Sequence, residues 1–287
     1  MTQSVLNIVG EMADLLAPKM RWIGPETWLS KRRAFDIPIV SDPRTTLDEA
    51  REAAGDATMD FNVVPAENRR KKLLIADMDS TIINCECLDE LADMAGLKAK
   101  VSVITERAMR GEIEFAGALR ERVALLKGLP LEALERVWRE RVRLNPGAKE
   151  LVATMKANGA KTLLVSGGFT FFSSRVAEAA GFDEHQSNVL IDDGKVLTGE
   201  VRDPILGKEA KLAALERALE QYGLQADDVL AVGDGANDLA MIQRAGLGVA
   251  YHAKPVVAAA AGASIAHNDL KALLYLQGYR DDEIARG

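Results

Sequence analysis

The sequence predicts an α/β protein: a doubly wound parallel-sheet core, a helical-bundle cap inserted into it, and a small N-terminal α/β unit in front. Three observations predict this class. Short apolar runs such as LLIA at 73–76 and VLAV at 229–232 have the length and unbroken hydrophobicity of strands buried on both faces. After residue 146 such runs alternate with amphipathic helical stretches, the order that a parallel sheet with crossover helices requires. Between the first of these strands and the rest, residues 84–145 are helical throughout, so a bundle interrupts the sheet.

Taken in order, residues 1–70 read as a helical start, a strand FDIPIV, a helix TLDEAREAAG and a strand MDFNVV closed by Pro65. The core takes up residues 71–83 and 146–287, and the cap residues 84–145. Four short amphipathic helices make the cap: CLDELADMAG, VSVITERAMRG, FAGALRERVALLKG and LEALERVWRERVRL. The core resumes with helix GAKELVATMKANG, strand KTLLVSGG, helix FFSSRVAEAAG and a β-hairpin turning on Asp-Gly within NVLIDDGKVLTGEV. Helix AKLAALERALEQYG, strand DVLAVGDG, helix ANDLAMIQRAG and strands GVAY and ASIA complete it.

Composition narrows the function classes. The 287 residues are 48% hydrophobic, enough to bury a large core, and the net charge of −7 argues against a nucleic-acid or anionic-membrane surface. The one basic cluster, NRRKK at 68–72, reads as a solvated linker. The first residues carry Glu11 and Asp14 and do not resemble a signal peptide, and VVAAAAGASIA at 256–266 is too short to span a bilayer, so a cytoplasmic setting is expected. Cys85 and Cys87 read as free thiols, and His185, His252 and His267 as structural or surface residues.

In doubly wound sheets ligands bind beyond the carboxyl ends of the strands, and three polar clusters fall there: DMDST after 73–76, SGG after 161–165 and GDGAND after 229–232. Asp77 and Asp79 are two residues apart, so on an extended chain both carboxylates leave one face and repel unless a cation or a shared proton relieves them. Asp234 adds a third hard oxygen donor, a set that suits Mg²⁺ better than zinc. Ser166, Gly167 and Gly168 offer a hydroxyl and unhindered amides to an anion, and Lys211 a point positive charge for phosphate or a carboxylate nucleophile. Each cluster alone is ordinarily a turn or a cap; their order, each after an apolar strand, is what carries weight.

These four motifs resemble those of the haloacid-dehalogenase-like phosphatases. NCECLDELA, ITERAMRGEIEFAGALRERVALLKGL, SGGFTFF and AVGDGANDLAMI are similar to the phosphoserine phosphatase branch of that superfamily over about residues 72–280. The resemblance implies a Rossmann-like core and an aspartyl-phosphate mechanism, with Asp77 as nucleophile and Asp79 as general acid and then base. It implies Mg²⁺ on Asp77, the Asp79 carbonyl and Asp234, with Asp238 behind them. The phosphoryl group would be held by Ser166, Gly167 and Lys211, with Asn237 close by. In the cap it implies Glu86 at the substrate ammonium, Arg122 at its carboxylate, and Met109 and Phe115 as an apolar wall. The implied reaction is hydrolysis of phosphoserine, the last step of serine synthesis by the phosphorylated route. Two alternatives stand beside it: a related phosphatase or phosphotransferase acting on another small phosphoester, with an alcohol such as homoserine as acceptor in the second case, and a silent phospho-ligand sensor, against which the retained acid pair argues. The exposed face of the N-terminal unit is the candidate surface for a homodimer.

Overall fold

The computed structural model describes residues 4–109 and 112–287, apart from the side chain of Met109. It opens on a strand, β1 (Ser4–Val9), where the sequence suggested a helix. The reason is burial on both faces: Leu6 and Ile8 point into one apolar cluster and Val5 and Val9 into another, a period of two that a helix cannot satisfy. After a short helix α1 (Ala13–Leu16) come β2 (Thr27–Ser30), β3 (Ala34–Ile39), α2 (Pro43–Ala54) and β4 (Asp60–Pro65). The sheet order is β2-β3-β1-β4, with β1 central and antiparallel to both β3 and β4. Helix α2 starts where Asp42 accepts from the Thr45 N–H at 2.8 Å, with Pro43 pre-set for its first turn.

This unit is bolted to the second half of the chain. The Asp60 carboxylate accepts from the main-chain N–H groups of Ala266, His267 and Asn268 and from the Asn268 amide. Asn62 exchanges hydrogen bonds with both main-chain groups of Ser264. Arg69 pairs with Asp36 at 2.5 Å and donates to the carbonyls of Tyr275 and Leu276. Lys71 is buried and donates to the carbonyls of Asn68 and Asp227. The stretch NRRKK is therefore no solvated linker: Arg69 and Lys71 point inward because main-chain carbonyls at the junction need donors once water is excluded.

The second sheet is built from β5 (Leu73–Ala76), β6 (Lys161–Phe169), β7 (Glu184–Asn188), β10 (Val229–Gly233), β11 (Leu247–Tyr251) and β12 (Ala263–Ile265). A hairpin of β8 (Leu190–Asp192) and β9 (Leu197–Val201) stands apart. The order β12-β11-β10-β5-β6-β7 is parallel throughout. Leu74 and Ala76 pack on one face of β5 and Leu73 and Ile75 on the other, which is why LLIA carries no polar residue. Strand order reverses between β5 and β10, leaving a crevice at their carboxyl ends. Strand β6 runs on through Ser166–Gly168 to Phe169 and slips register against β7 there.

The cap consists of α3 (Cys87–Met94), α4 (Lys98–Met109), α5 (Phe115–Ala124) and α6 (Leu131–Glu140). The loop joining α5 to α6 is hydrogen-bonded to the hairpin through Gly128, Leu129 and Leu131, and Arg120 pairs with Asp203 at 2.6 Å. The remaining helices are α7 (Ala148–Ala157), α8 (Thr170–Ala180), α9 (Lys208–Tyr222), α10 (Leu239–Arg244), α11 (Pro255–Ala260) and α12 (Ala272–Leu276). No helix among the described residues is long and apolar enough to cross a membrane.

Candidate active site

The three polar clusters meet because β5, β6 and β10 are neighbours. Asp77 continues the β5 pairing for one residue, its N–H donating to the Val232 carbonyl at 3.0 Å. The chain then leaves the sheet and turns at Ser80, which takes a left-handed φ of 57°. Asp77 and Asp79 are buried, but their carboxylates part company. Asp77 Oδ1 meets Lys211 Nζ at 2.5 Å, while Asp79 accepts from the Cys87 N–H at 3.0 Å and the Ser166 hydroxyl at 3.2 Å.

Lys211, on the first turn of α9, is 2% exposed and also pairs with Asp238 at 2.5 Å. Asp238 Oδ2 accepts from the Gly235 N–H at 3.0 Å, so both its oxygens are engaged. Two glycines make these approaches feasible. A Cβ on Gly233 would fall 2.4 Å from the Asp238 carboxyl carbon, and one on Gly168 would fall 2.8 Å from Asp79 Oδ2.

Oxygens of Asp77, Asp234 and Asp238 lie within 4.8 Å of one another, a group able to hold a cation. The Asp79 carboxylate is not in this set. Burial pushes the Asp77 carboxyl well above the usual range against the pull of Lys211, and Asp238 and Asp79 add to the rise. Asp79 is raised by burial, against the bonds from Cys87 and Ser166, and Asp234 by burial and then by Asp238. Burial also works to strip the proton from Lys211, but Asp77 and Asp238 together outweigh it and hold the ammonium above its ordinary range. Buried like charges pushed upward in this way are what a divalent cation relieves, and the donors are all hard oxygens.

The cap brings a second group to the crevice. Ser80 donates to Glu86 at 2.7 Å. Part of the Glu86 surface stays open to solvent, yet desolvation by the surrounding protein, followed by the charge of Asp79, pushes its carboxyl up to about 7. Arg122 is desolvated by burial and lies within electrostatic reach of Asp89 and Glu86. The Phe115 ring lies against Gly167 and Gly207. Met109, expected beside it, has its side chain outside the described residues. Asn237 sits on the exposed side of its turn, its amide oxygen against Gly235. A cleft of about 500 Å³ lined by Ser80, Asn84, Asn145, Asp234, His252 and Asp269, among others, opens beside Asp234.

Reasoning from sequence passed over Ser80 and Thr81, which bind Glu86 and Asp234 and lie inside DMDST itself. It also passed over the Cys87 N–H, since a main-chain donor leaves no trace in residue type. The two thiols are free, Cys85 half-buried and Cys87 buried.

Known proteins resemble this chain in sequence and in fold. A phosphoserine phosphatase of Polaromonas sp. is 50% identical over 210 residues, covering 71% of this chain and 89% of that protein. A phosphoserine phosphatase of Archaeoglobus fulgidus is 48% identical over 207 residues, 72% of this chain, so that the match spans 60% of that longer relative. A solved structure described as a phospho-aspartyl intermediate analogue of phosphoserine phosphatase superposes with a TM-score of 0.66 at 40% identity, covering 72% of this chain and 98% of that one. With residues 74–243 matching its model, and with the acid pair, the serine-glycine loop, the lysine and the Gly-Asp-Gly turn gathered at neighbouring strand ends, the chain belongs to the haloacid dehalogenase-like hydrolase family.

Proposed function

We propose that this chain hydrolyses O-phospho-L-serine to L-serine and phosphate through an aspartyl-phosphate on Asp77, the last step of serine synthesis by the phosphorylated route. The observation that carries the reading is the opposition of two groups across one crevice. On the core side stand Asp77 and Lys211, with Asp79 and Ser166; on the cap side stand Glu86 and Arg122, the charges an amino acid's ammonium and carboxylate require.

In this reading Asp77 attacks phosphorus while Asp79 gives its proton to the departing seryl oxygen. Burial favours that role, because a carboxyl raised above its usual range keeps a proton to donate. Asp79 then takes a proton from the water that opens the aspartyl-phosphate, which splits one hard displacement into two easier ones. Lys211 neutralises charge as it builds, and the Ser166 hydroxyl and Gly167 amide hold phosphoryl oxygens, with Asn237 at the edge.

Asp77, the Asp79 carbonyl and Asp234 would hold Mg²⁺, with Asp238 behind them because its oxygens already serve Lys211 and Gly235. When bound, the ion neutralises the phosphoryl group and the carboxylates around it. Residues 71–83 and 146–287 form the catalytic core in this proposal, 84–145 the lid and 1–70 a separate unit, and we place the activity in the cytoplasm. A homodimer through the N-terminal unit, where Met12, Leu15 and Trp22 are exposed, belongs to the same proposal and is tested by sedimentation. The decisive experiment is phosphate release from a panel of phosphoesters with and without Mg²⁺. Preference for phosphoserine, dependent on the ion, is expected, and equal rates on phosphoesters lacking an amino-acid moiety would refute the substrate.

A further inference from the structure

Asn188, the last residue of β7, belongs to none of the motifs, yet its buried side chain ties two of them together. Its amide nitrogen donates to the carbonyls of Gly167 at 2.8 Å and Leu206 at 3.2 Å, and its amide oxygen accepts from the Leu206 N–H at 2.7 Å. Peptide planarity extends the reach of these bonds. The Gly167 carbonyl and the Gly168 N–H share one rigid trans unit and point opposite ways. Holding the first therefore aims the second, which meets the Ser166 hydroxyl oxygen at 2.8 Å. That hydroxyl, one of its lone pairs engaged, donates its proton to Asp79 Oδ2 at 3.2 Å. On the other side, the Leu206 carbonyl shares its unit with the N–H of Gly207, the residue before α9, whose first turn carries Lys211.

We infer that Asn188 is a positioning residue of this site: through the Gly167–Gly168 peptide it orients the Ser166 hydroxyl toward Asp79, and through Leu206 it sets the spacing between that loop and the start of α9. The inference rests on the proposed phosphatase reading. Only a side-chain amide supplies two donors and an acceptor in one plane. An aspartate keeps the bond from Leu206 N–H but sets its charge against two carbonyl oxygens, and an alanine leaves all three main-chain groups without their partner.

The test compares Asn188→Asp and Asn188→Ala with Ser187→Ala, a neighbour on the same strand whose hydroxyl bonds those of Ser173 and Thr170. The readouts are inhibition of phosphoserine hydrolysis by inorganic phosphate, the pH profile of kcat, and the thermal midpoint. Both Asn188 variants are expected to lower kcat and weaken phosphate inhibition by roughly 10- to 100-fold, the scale of a catalytic group displaced by about an ångström. The limb of the pH profile that reports Asp79 should move with them, while Ser187→Ala keeps wild-type phosphate affinity whatever its midpoint. Wild-type phosphate affinity and pH profile in Asn188→Asp would overturn the inference. So would a loss shared by Ser187→Ala in proportion to destabilisation, which would assign Asn188 to the fold alone. If Asn188→Ala does not fold, Asn188→Asp decides. A wild-type protein that neither hydrolyses phosphoserine nor responds to phosphate would instead sink the phosphatase reading, so the two failures are distinguishable.

Discussion

Where the N-terminal unit meets the core, two cations, Arg69 and Lys71, stand against two acids, Asp36 and Asp60, and each is hydrogen-bonded: Arg69 finds Asp36 and two carbonyls, Lys71 two carbonyls, and Asp60 three main-chain N–H groups and an amide. At the carboxyl ends of β5 and β10 the balance is different. One ammonium, Lys211, bonds Asp77 and Asp238, with Asp79 and Asp234 close by, and the carboxyls of Asp77, Asp79 and Asp234 are all driven upward. Both regions are buried and polar, so burial does not separate structure from function. Charge balance does: a junction gains from neutrality, whereas the site proposed to take up a cation, a phosphoryl group and a proton keeps carboxylates in excess.

The largest effect that would break this contrast is at Asp77. Asp77→Asn should cut phosphate release by roughly 10⁴-fold or more while circular dichroism stays native, because an amide is not a nucleophile. Turnover like the wild type would end the covalent mechanism. Asp79→Asn should cost about 10²- to 10⁴-fold through lost proton transfer, and beryllium fluoride should trap on Asp77 in that variant as in the wild type.

Arg69→Ala should do the reverse. Stranding Asp36 in the junction should remove about 3–5 kcal/mol of stability in urea unfolding, with kcat per folded molecule unchanged. A large fall in kcat with stability intact would make the junction part of the site. In the cap, Arg122→Ala should lower kcat/KM for phosphoserine by about 2–4 kcal/mol and barely affect p-nitrophenyl phosphate, which has no carboxylate to lose. Equal losses on both substrates would return Arg122 to lid structure.

The smallest effect concerns pH. With Glu86 pushed up to about 7, its carboxylate is protonated in the free protein below that pH and cannot pair with an ammonium. KM for phosphoserine should therefore rise as pH falls below about 7, and Glu86→Gln should flatten that rise. The sign for stability is opposite. A carboxyl whose folded pKa exceeds its unfolded one contributes stability at low pH that is lost as pH rises through the folded value, so the free protein should lose a little stability between about pH 4.5 and 7.

The chain by itself determined the parallel sheet, the inserted bundle and the motif residues. LLIA and VLAV can be satisfied only by burial on both faces, and acids directly after such strands have no packing purpose. Three things were decided by tertiary structure alone. Residues 4–9 became a strand because β3 and β4 lie on either side of them, and only that pairing gives Leu6 and Ile8 one apolar cluster to enter and Val5 and Val9 another. Arg69 and Lys71 turned inward because distant carbonyls needed donors. Asp77 and Asp79 separated because Lys211 and Ser166, each more than 80 positions further along the chain, claimed one carboxylate apiece. Residue type announces which groups can bond. Which partner each one meets depends on contacts between positions far apart in the chain, and Asn188 with its hold on Gly167 and Leu206 has no other origin.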